Sequence, residues 1–174
     1  MMLARPAAGE YSPFFAGYFA RVPDGDVLAM LRQQSERLQA LFRSVPEAKG
    51  DFAYAPGKWT VKRVLQHIVD GERLFGYRAM CIARGEAGDL PGFDENAYAD
   101  NDGSELRTLA SIVAEHAAVR RATCLLFEGF SAAALQRIGR ANGHAISVRA
   151  LVWITAGHEL HHLAVLRERY GLGG

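Results

Sequence analysis

The sequence predicts an all-α protein, a four-helix bundle with a long connection between its second and third helices. Three observations carry that expectation. Four stretches repeat apolar residues at intervals of three, four and seven, the period of a helix with one buried face. No stretch alternates apolar and polar residues over the length of a strand. The breaks between the four stretches carry Pro, Gly and Asn-Gly signals, which end helices and start turns. A chain of 174 residues, 49% of them hydrophobic, suits one core, so a single domain over residues 1–174 is expected.

Residues 1–23 read as an irregular arm in which Tyr11, Phe14, Phe15, Tyr18 and Phe19 crowd between Pro6, Pro13 and Pro23. Disordered segments are poor in such side chains, so the arm is expected to pack across the domain or against a partner. The first helix, residues 26–45, takes Asp24 or Asp26 as N-cap and ends at Pro46. Val27, Leu28, Leu31, Leu38, Leu41, Phe42 and Val45 form its stripe, and Ser35, Arg32, Glu36, Arg37 and Arg43 fall largely off it. A Pro56-Gly57 turn leads to Thr60, a natural N-cap for a second helix over residues 60–84. Val61, Val64, His67, Ile68, Gly71, Leu74, Phe75, Arg78 and Ile82 share one face of it, which puts His67 on the buried side. Arg78, three turns further along that face, needs a carboxylate or a bound anion if it is enclosed.

Residues 85–103, with Gly85, Gly88, Pro91, Gly92 and Asn101-Asp102-Gly103, form the long connection, holding at most a short helical turn. Ser104 starts the third helix, residues 104–130, with Leu106, Leu109, Ile112, Val113, His116, Val119, Thr123 and Phe127 on its stripe. Gly139 to His144 reads as a polar loop with an Asn142-Gly143 turn, and Ser147 caps a fourth helix over residues 147–170.

Charge narrows the function. Twenty Lys and Arg against nineteen Asp and Glu leave a net charge of +1. Neither Arg120-Arg121 nor Arg137 to Arg140 makes a basic stripe, so neither nucleic acid nor a membrane is an expected partner. Cys81 and Cys124 lie far apart in amphipathic patterns, where a free thiol behaves as a small hydrophobe, and they make no disulfide framework. The N-terminal residues lack the uninterrupted apolar core of a signal peptide, and a cytoplasmic protein is expected.

The chemistry gathers at Gly157-His158-Glu159-Leu160-His161-His162-Leu163. Residues four apart on a helix share a face, so His158 and His162 can address a single ion. Leu151, Ile154, Thr155, Val165 and Leu166 fall on the same arc, so both imidazoles face the core. One buried histidine is ordinarily a hydrogen-bonded core residue, but two at ligand spacing on an apolar stripe favour a metal. His158 to His162 also fits the His-Glu-x-x-His pattern of zinc hydrolases, in which Glu159 would polarise a bound water. No histidine follows His162, so a third ligand is to be sought upstream.

The run from Tyr54 through Ala55-Pro56-Gly57-Lys58-Trp59-Thr60 to His67, continued by Asp70-Gly71-Glu72-Arg73 and Tyr77-Arg78, resembles the DinB/YfiT-like superfamily. The Gly157 to Leu163 motif, the segment Pro91-Gly92-Phe93-Asp94-Glu95-Asn96 and the aromatic arm match it too, so the resemblance covers essentially the whole chain. It implies an up-down-down-up bundle and a divalent metal, zinc or nickel, held by His67, His158 and His162. It also implies a transferase or isomerase that uses a low-molecular-weight thiol such as bacillithiol, mycothiol or glutathione, acting on a small-molecule substrate, and a homodimer. The alternatives are a metal-dependent hydrolase with Glu159 as base, and a bundle that binds metal without turnover.

Other polar residues have ordinary and functional readings. Glu159, on the edge of the apolar arc, is a catalytic candidate, an acceptor for a ligand histidine or a surface carboxylate. His161, on the other edge, is expected at the rim of the site. His116 is expected to be a satisfied core histidine, or to bond to the outer shell of the metal site. Arg78, the other catalytic candidate, and Arg120 either line a pocket and bind carboxylates or pair with Asp70, Glu72 or Glu115. His144 is expected in solvent.

Overall fold

The computed structural model describes residues 3–173; Met1, Met2 and Gly174, which the arm and domain ranges above include, lie outside them. In chain order the helices are α1 (Ala16–Phe19), α2 (Val27–Arg43), α3 (Val61–Ala83), α4 (Glu95–Asp100), α5 (Leu109–Glu128), α6 (Ala132–Leu135) and α7 (Val148–Tyr170). The strands are β1 (Asp89–Leu90), β2 (Ile138–Ala141) and β3 (His144–Ser147).

The four long helices begin where a side chain can satisfy their free N–H groups. Asp26 accepts from the amides of Leu28 and Ala29, Thr60 from Arg63, and Ser147 from Ala150. Each such cap contributes about 1 kcal/mol. The third long helix, α5, starts later than its apolar pattern predicts. Ser104–Leu106 is a 3-10 turn, Arg107 is extended, and Leu106 is 87% exposed rather than part of the buried stripe. Capping marks the later start: the Thr108 hydroxyl accepts from Ser111, and the Glu47 carboxylate accepts from the Leu109 amide at 2.9 Å, whereas Asp102, which accepts from the Ser104 amide, starts only the 3-10 turn.

The main packing pairs are α3 with α7, α2 with α5, α3 with α5, and α2 with α7, which sets α2 and α3, neighbours in sequence, across the bundle from each other. Two apolar clusters form. One surrounds the first half of α7 with Val27, Leu31, Phe75, Ala79 and Ile82. The other joins Leu38, Phe42, Val61, Leu65, Ile112 and Leu166. Between them runs a buried polar layer: Gln34 and Ser35 on α2, His67 and Glu72 on α3, His116 and Arg120 on α5, and His158 and Glu159 on α7. The sequence reading put Ser35 off the stripe, but in this layer it is buried.

The absence of strands does not hold. β1 pairs parallel with β2, and β2 pairs antiparallel with β3. Asn142 (φ 52) and Gly143 (φ 76) both adopt the left-handed region, which makes a two-residue hairpin turn rather than a loop. At two to four residues the strands are too short for alternation to register. The hairpin packs on the end of α3, where a Cβ at Gly139 would sit 2.6 Å from Ile82 Cγ1.

The arm packs across the helices, the first of its two expected fates, leaving Phe14 exposed. Arg5 donates to the carbonyls of Phe19 (2.8 Å) and Val22 (2.6 Å) and lies over the Trp153 ring. The Glu10 carboxylate accepts from Ser147 and Arg149 on the far side. α1 presses on α7 so closely that a Cβ at Gly157 would meet the Tyr18 carbonyl oxygen at 2.5 Å. With α1, α2, α3, α6 and β3 all against it, α7 is buried all round from Ala150 to Glu159.

Candidate metal centre

His67 comes from the middle of α3, and His158 and His162 from successive turns of α7. The three offer ligand nitrogens that all lie within 4.8 Å of one another. His67 Nε2 and His158 Nε2 are 3.0 Å apart, close to the roughly 3.3 Å between ligand nitrogens that a tetrahedral ion with bonds of about 2.0–2.1 Å requires. His162 Nε2 is buried without a hydrogen-bond partner. A buried imidazole nitrogen with no acceptor or donor is costly, and a cation between the three rings would satisfy it.

Electrostatics agree with a neutral donor set. Burial lowers the His67 pKa to about 4, helped by His161, and lowers His162 to about 2, helped by His67 and His161. Burial and the neighbouring imidazoles hold His158 well below its ordinary value. Neutral imidazole is the form that ligates, so these residues fit a divalent ion, and three nitrogen donors suit zinc or nickel alike. Rings hold the set in place: Tyr18 and Phe75 meet His158 edge-on at 5.5 and 5.3 Å, and Trp59 lies 4.9 Å from His67. Gly71 leaves the space, since a Cβ there would stand 2.7 Å from His158 Cε1.

Glu159, one residue from His158, points elsewhere. Arg120 Nη2 donates to Glu159 Oε2 at 2.6 Å, and His116 Nε2 donates to the same oxygen at 2.9 Å. Arg120 also forks onto both oxygens of Glu72 at 2.8 Å and donates to the Leu31 carbonyl at 2.7 Å. Burial pushes the Glu159 carboxyl up, but the charge of Arg120 and the bond from His116 outweigh it and hold the group below its ordinary value. Among the expectations for Glu159, a surface carboxylate is thus ruled out by complete burial. His116 is a buried, hydrogen-bonded histidine, bonded to the residue that follows a ligand candidate. His161 stands at the rim, half-buried and 5.3 Å from the Tyr18 ring.

A cavity of about 430 Å³ opens onto two of the histidines, lined by His67, His158, Phe75 and Arg78 from α3 and α7, by Phe14, Phe15 and Tyr18 of the arm, by Phe93, and by Asn142, His144 and Ile146 of the hairpin. A smaller recess of about 240 Å³ reaches His162 beside Trp59. His144 is exposed and on the cavity lining. Sequence reasoning missed the hairpin's part in this cavity; the signal that pointed to it was Asn142-Gly143, which marks a hairpin when apolar residues flank it. It also missed that Glu72 and Glu159 share one arginine.

The model of the DinB superfamily matches residues 30–166. Among solved structures, YfiT from Bacillus subtilis, described as a probable metal-dependent hydrolase with an unusual four-helix bundle topology, superposes with a TM-score of 0.73 at 15% identity. That match covers 98% of this chain and 95% of YfiT. A mycothiol-dependent maleylpyruvate isomerase superposes with a TM-score of 0.68 at 13% identity, over 90% of this chain and 64% of that one. A search of curated proteins finds no match. At these identities the two structures establish a shared fold.

Proposed function

The chain belongs to the DinB superfamily, and on that premise we propose that it holds one divalent ion on His67, His158 and His162 and transfers a low-molecular-weight thiol to or from a small molecule in the adjoining cavity. The convergence of three neutral imidazoles, two buried and one half-buried, beside a cavity carries this reading. When bound, a divalent ion supplies a Lewis acid that lowers the pKa of a thiol or a water. The chain's own residues do the rest. The imidazoles present lone pairs at neutral pH, Phe75, Phe93 and Ile146 supply apolar walls, and Tyr18 of the arm lines the cavity beside His158.

A metal-dependent hydrolase is the second reading, supported by the His-Glu-x-x-His spacing and by the description of YfiT. The commitment of Glu159 Oε2 to Arg120 and His116 weighs against Glu159 as its base and favours the transferase. Elemental analysis should find about one zinc or nickel per chain, and conjugation of a generic electrophile should require added thiol and stop in His158→Ala. Glu159→Gln should leave that conjugation largely intact. Turnover of activated esters without thiol, lost in Glu159→Gln, would establish the hydrolase instead. Neither activity in the metal-loaded protein would leave a metal-binding bundle. The reading includes a homodimer in the cytoplasm, with the exposed Phe14 on the arm as the contact; light scattering showing only monomer would overturn the dimer. No helix among the described residues is long and apolar enough to cross a membrane.

A further inference from the structure

The two arginines that the sequence left undecided have opposite fates. Arg120 is saturated by two carboxylates and a carbonyl. Arg78 is only 6% exposed, yet its one hydrogen bond runs from Nη2 to the Pro91 carbonyl at 2.7 Å, and it forms no ion pair among the described residues. Buried guanidinium groups are normally matched by a carboxylate, because their five donors and their charge are costly to enclose unpaired. Burial pulls the Arg78 pKa down, and only the distant charge of Asp89 works against it. The Asp89 carboxylate itself accepts from the Gly143 amide at 3.0 Å.

Arg78 lines the same cavity as His67 and His158. It lies three turns beyond His67 on one face of α3, about 16 Å along the axis at 1.5 Å per residue. His158 stands nearer, because its Cε1 abuts Gly71, and Gly71 lies only seven residues before Arg78, about 10 Å along the axis. Phe75 sits between the two on α3, and Phe93 stands over Arg78, 6.0 Å from its Cζ. Phe75 and Phe93 thus give the cavity an apolar wall between the histidines and an unmatched cation, with Ser12, Asn142 and His144 also on its lining. Asp94 and Glu95 also line it, but both are exposed, and Asp94 is used in capping α4.

We infer that Arg78 is an anion-binding residue, and that the ligand of this cavity is an extended molecule with a carboxylate at one end and a metal-seeking group at the other. This rests on the proposed metal site only for the second end. The carboxylate docks on the guanidinium by charge-assisted hydrogen bonds.

Four probes test it on the full chain loaded with zinc, each followed by titration calorimetry: ω-mercaptooctanoate, ω-mercaptooctanol, 3-mercaptopropionate and octanoate. ω-Mercaptooctanoate should bind the wild type about tenfold or more tighter than the alcohol, a factor within the range of one charged hydrogen bond. The preference should vanish in Arg78→Gln and return in part in Arg78→Lys, with melting temperatures confirming that the variants fold. The short 3-mercaptopropionate cannot span the cavity and should bind Arg78→Gln as well as it binds the wild type. Octanoate should bind the wild type more tightly than Arg78→Gln whether or not metal is present, so failure of the metal reading leaves this arm standing. Equal affinity of the wild type for the acid and the alcohol overturns the inference even if no variant folds, and octanoate binding indifferent to Arg78 overturns it where Arg78→Gln does fold.

Discussion

Two groups of three side chains occupy the polar layer of this bundle, and either could hold a cation by spacing alone: His67, His158 and the half-buried His162, and the fully buried Glu72, His116 and Glu159. Adjacent residues on α7, His158 and Glu159, divide between them. The second group already contains its cation, because Arg120 reaches both carboxylates. The first has three neutral donors and, among the described residues, no Arg or Lys hydrogen-bonded to them; buried atoms without a partner occur in both groups, His162 Nε2 in the first and His116 Nδ1 and Glu159 Oε1 in the second. The difference teaches that ligand spacing does not by itself make a metal site. What matters is whether the fold has supplied the positive charge internally.

The comparison breaks most visibly at the ligands. His158→Ala should cut metal affinity by more than the roughly 10–100-fold typical of losing a supporting residue, leaving little metal by elemental analysis. Glu159→Gln should retain about one ion per chain. Retention of metal by His158→Ala would show that the spacing misleads here.

Next in size is the ionic group. Arg120→Met strands Glu72 and Glu159 in the interior and should cost about 3–5 kcal/mol in urea unfolding. Metal content in the folded fraction should not change; if it does, the two groups act as one.

Acid should separate them further. In the folded metal-free protein His67 titrates near about 4 and His162 near about 2, against an ordinary value of 6.5. Below pH 6.5 the unfolded chain therefore binds more protons than the folded one, and stability falls as pH drops, by at most about 1.4 kcal/mol per pH unit for each such histidine. Urea unfolding at about pH 7 and about pH 5 measures this slope. His67→Ala should show a shallower one, and an unchanged slope would assign the titration to other groups.

The smallest effect concerns fit. Gly71→Ala places a methyl group 2.7 Å from His158 Cε1, so the ring must shift. Metal affinity should weaken by about tenfold, with little change in the ionic group. A zinc titration of the variant decides it.

The sequence carried the four helices because helical period and capping are local. Asp26, Thr60 and Ser147 could be named as caps from their place before an apolar run, whereas the start of α5 was misplaced because one of its capping partners, Glu47, is far away in sequence. The i, i+4 spacing of His158 and His162 is local in the same sense. The third histidine was visible as a residue on the buried face of its helix, and the resemblance to the DinB family linked it to the other two.

Long-range packing decided the rest. Periodicity assumes one buried face, but α7 is surrounded, so Glu159 at the edge of the arc entered the interior as fully as His158 did. Arg78 reads as inward-facing in the sequence and Arg120 does not fall on the stripe of its helix, yet both are buried, and only the placement of α3 against α5 and α7 gave Arg120 two carboxylates and left Arg78 with a carbonyl. The cavity is likewise assembled from the arm, the Pro91–Phe93 segment and a hairpin whose strands are too short to show a period. Local rules thus determined which residues turn inward; which partner each one meets there depended on elements brought together from across the chain, and a partner's charge cannot be read from the spacing of the residue that receives it.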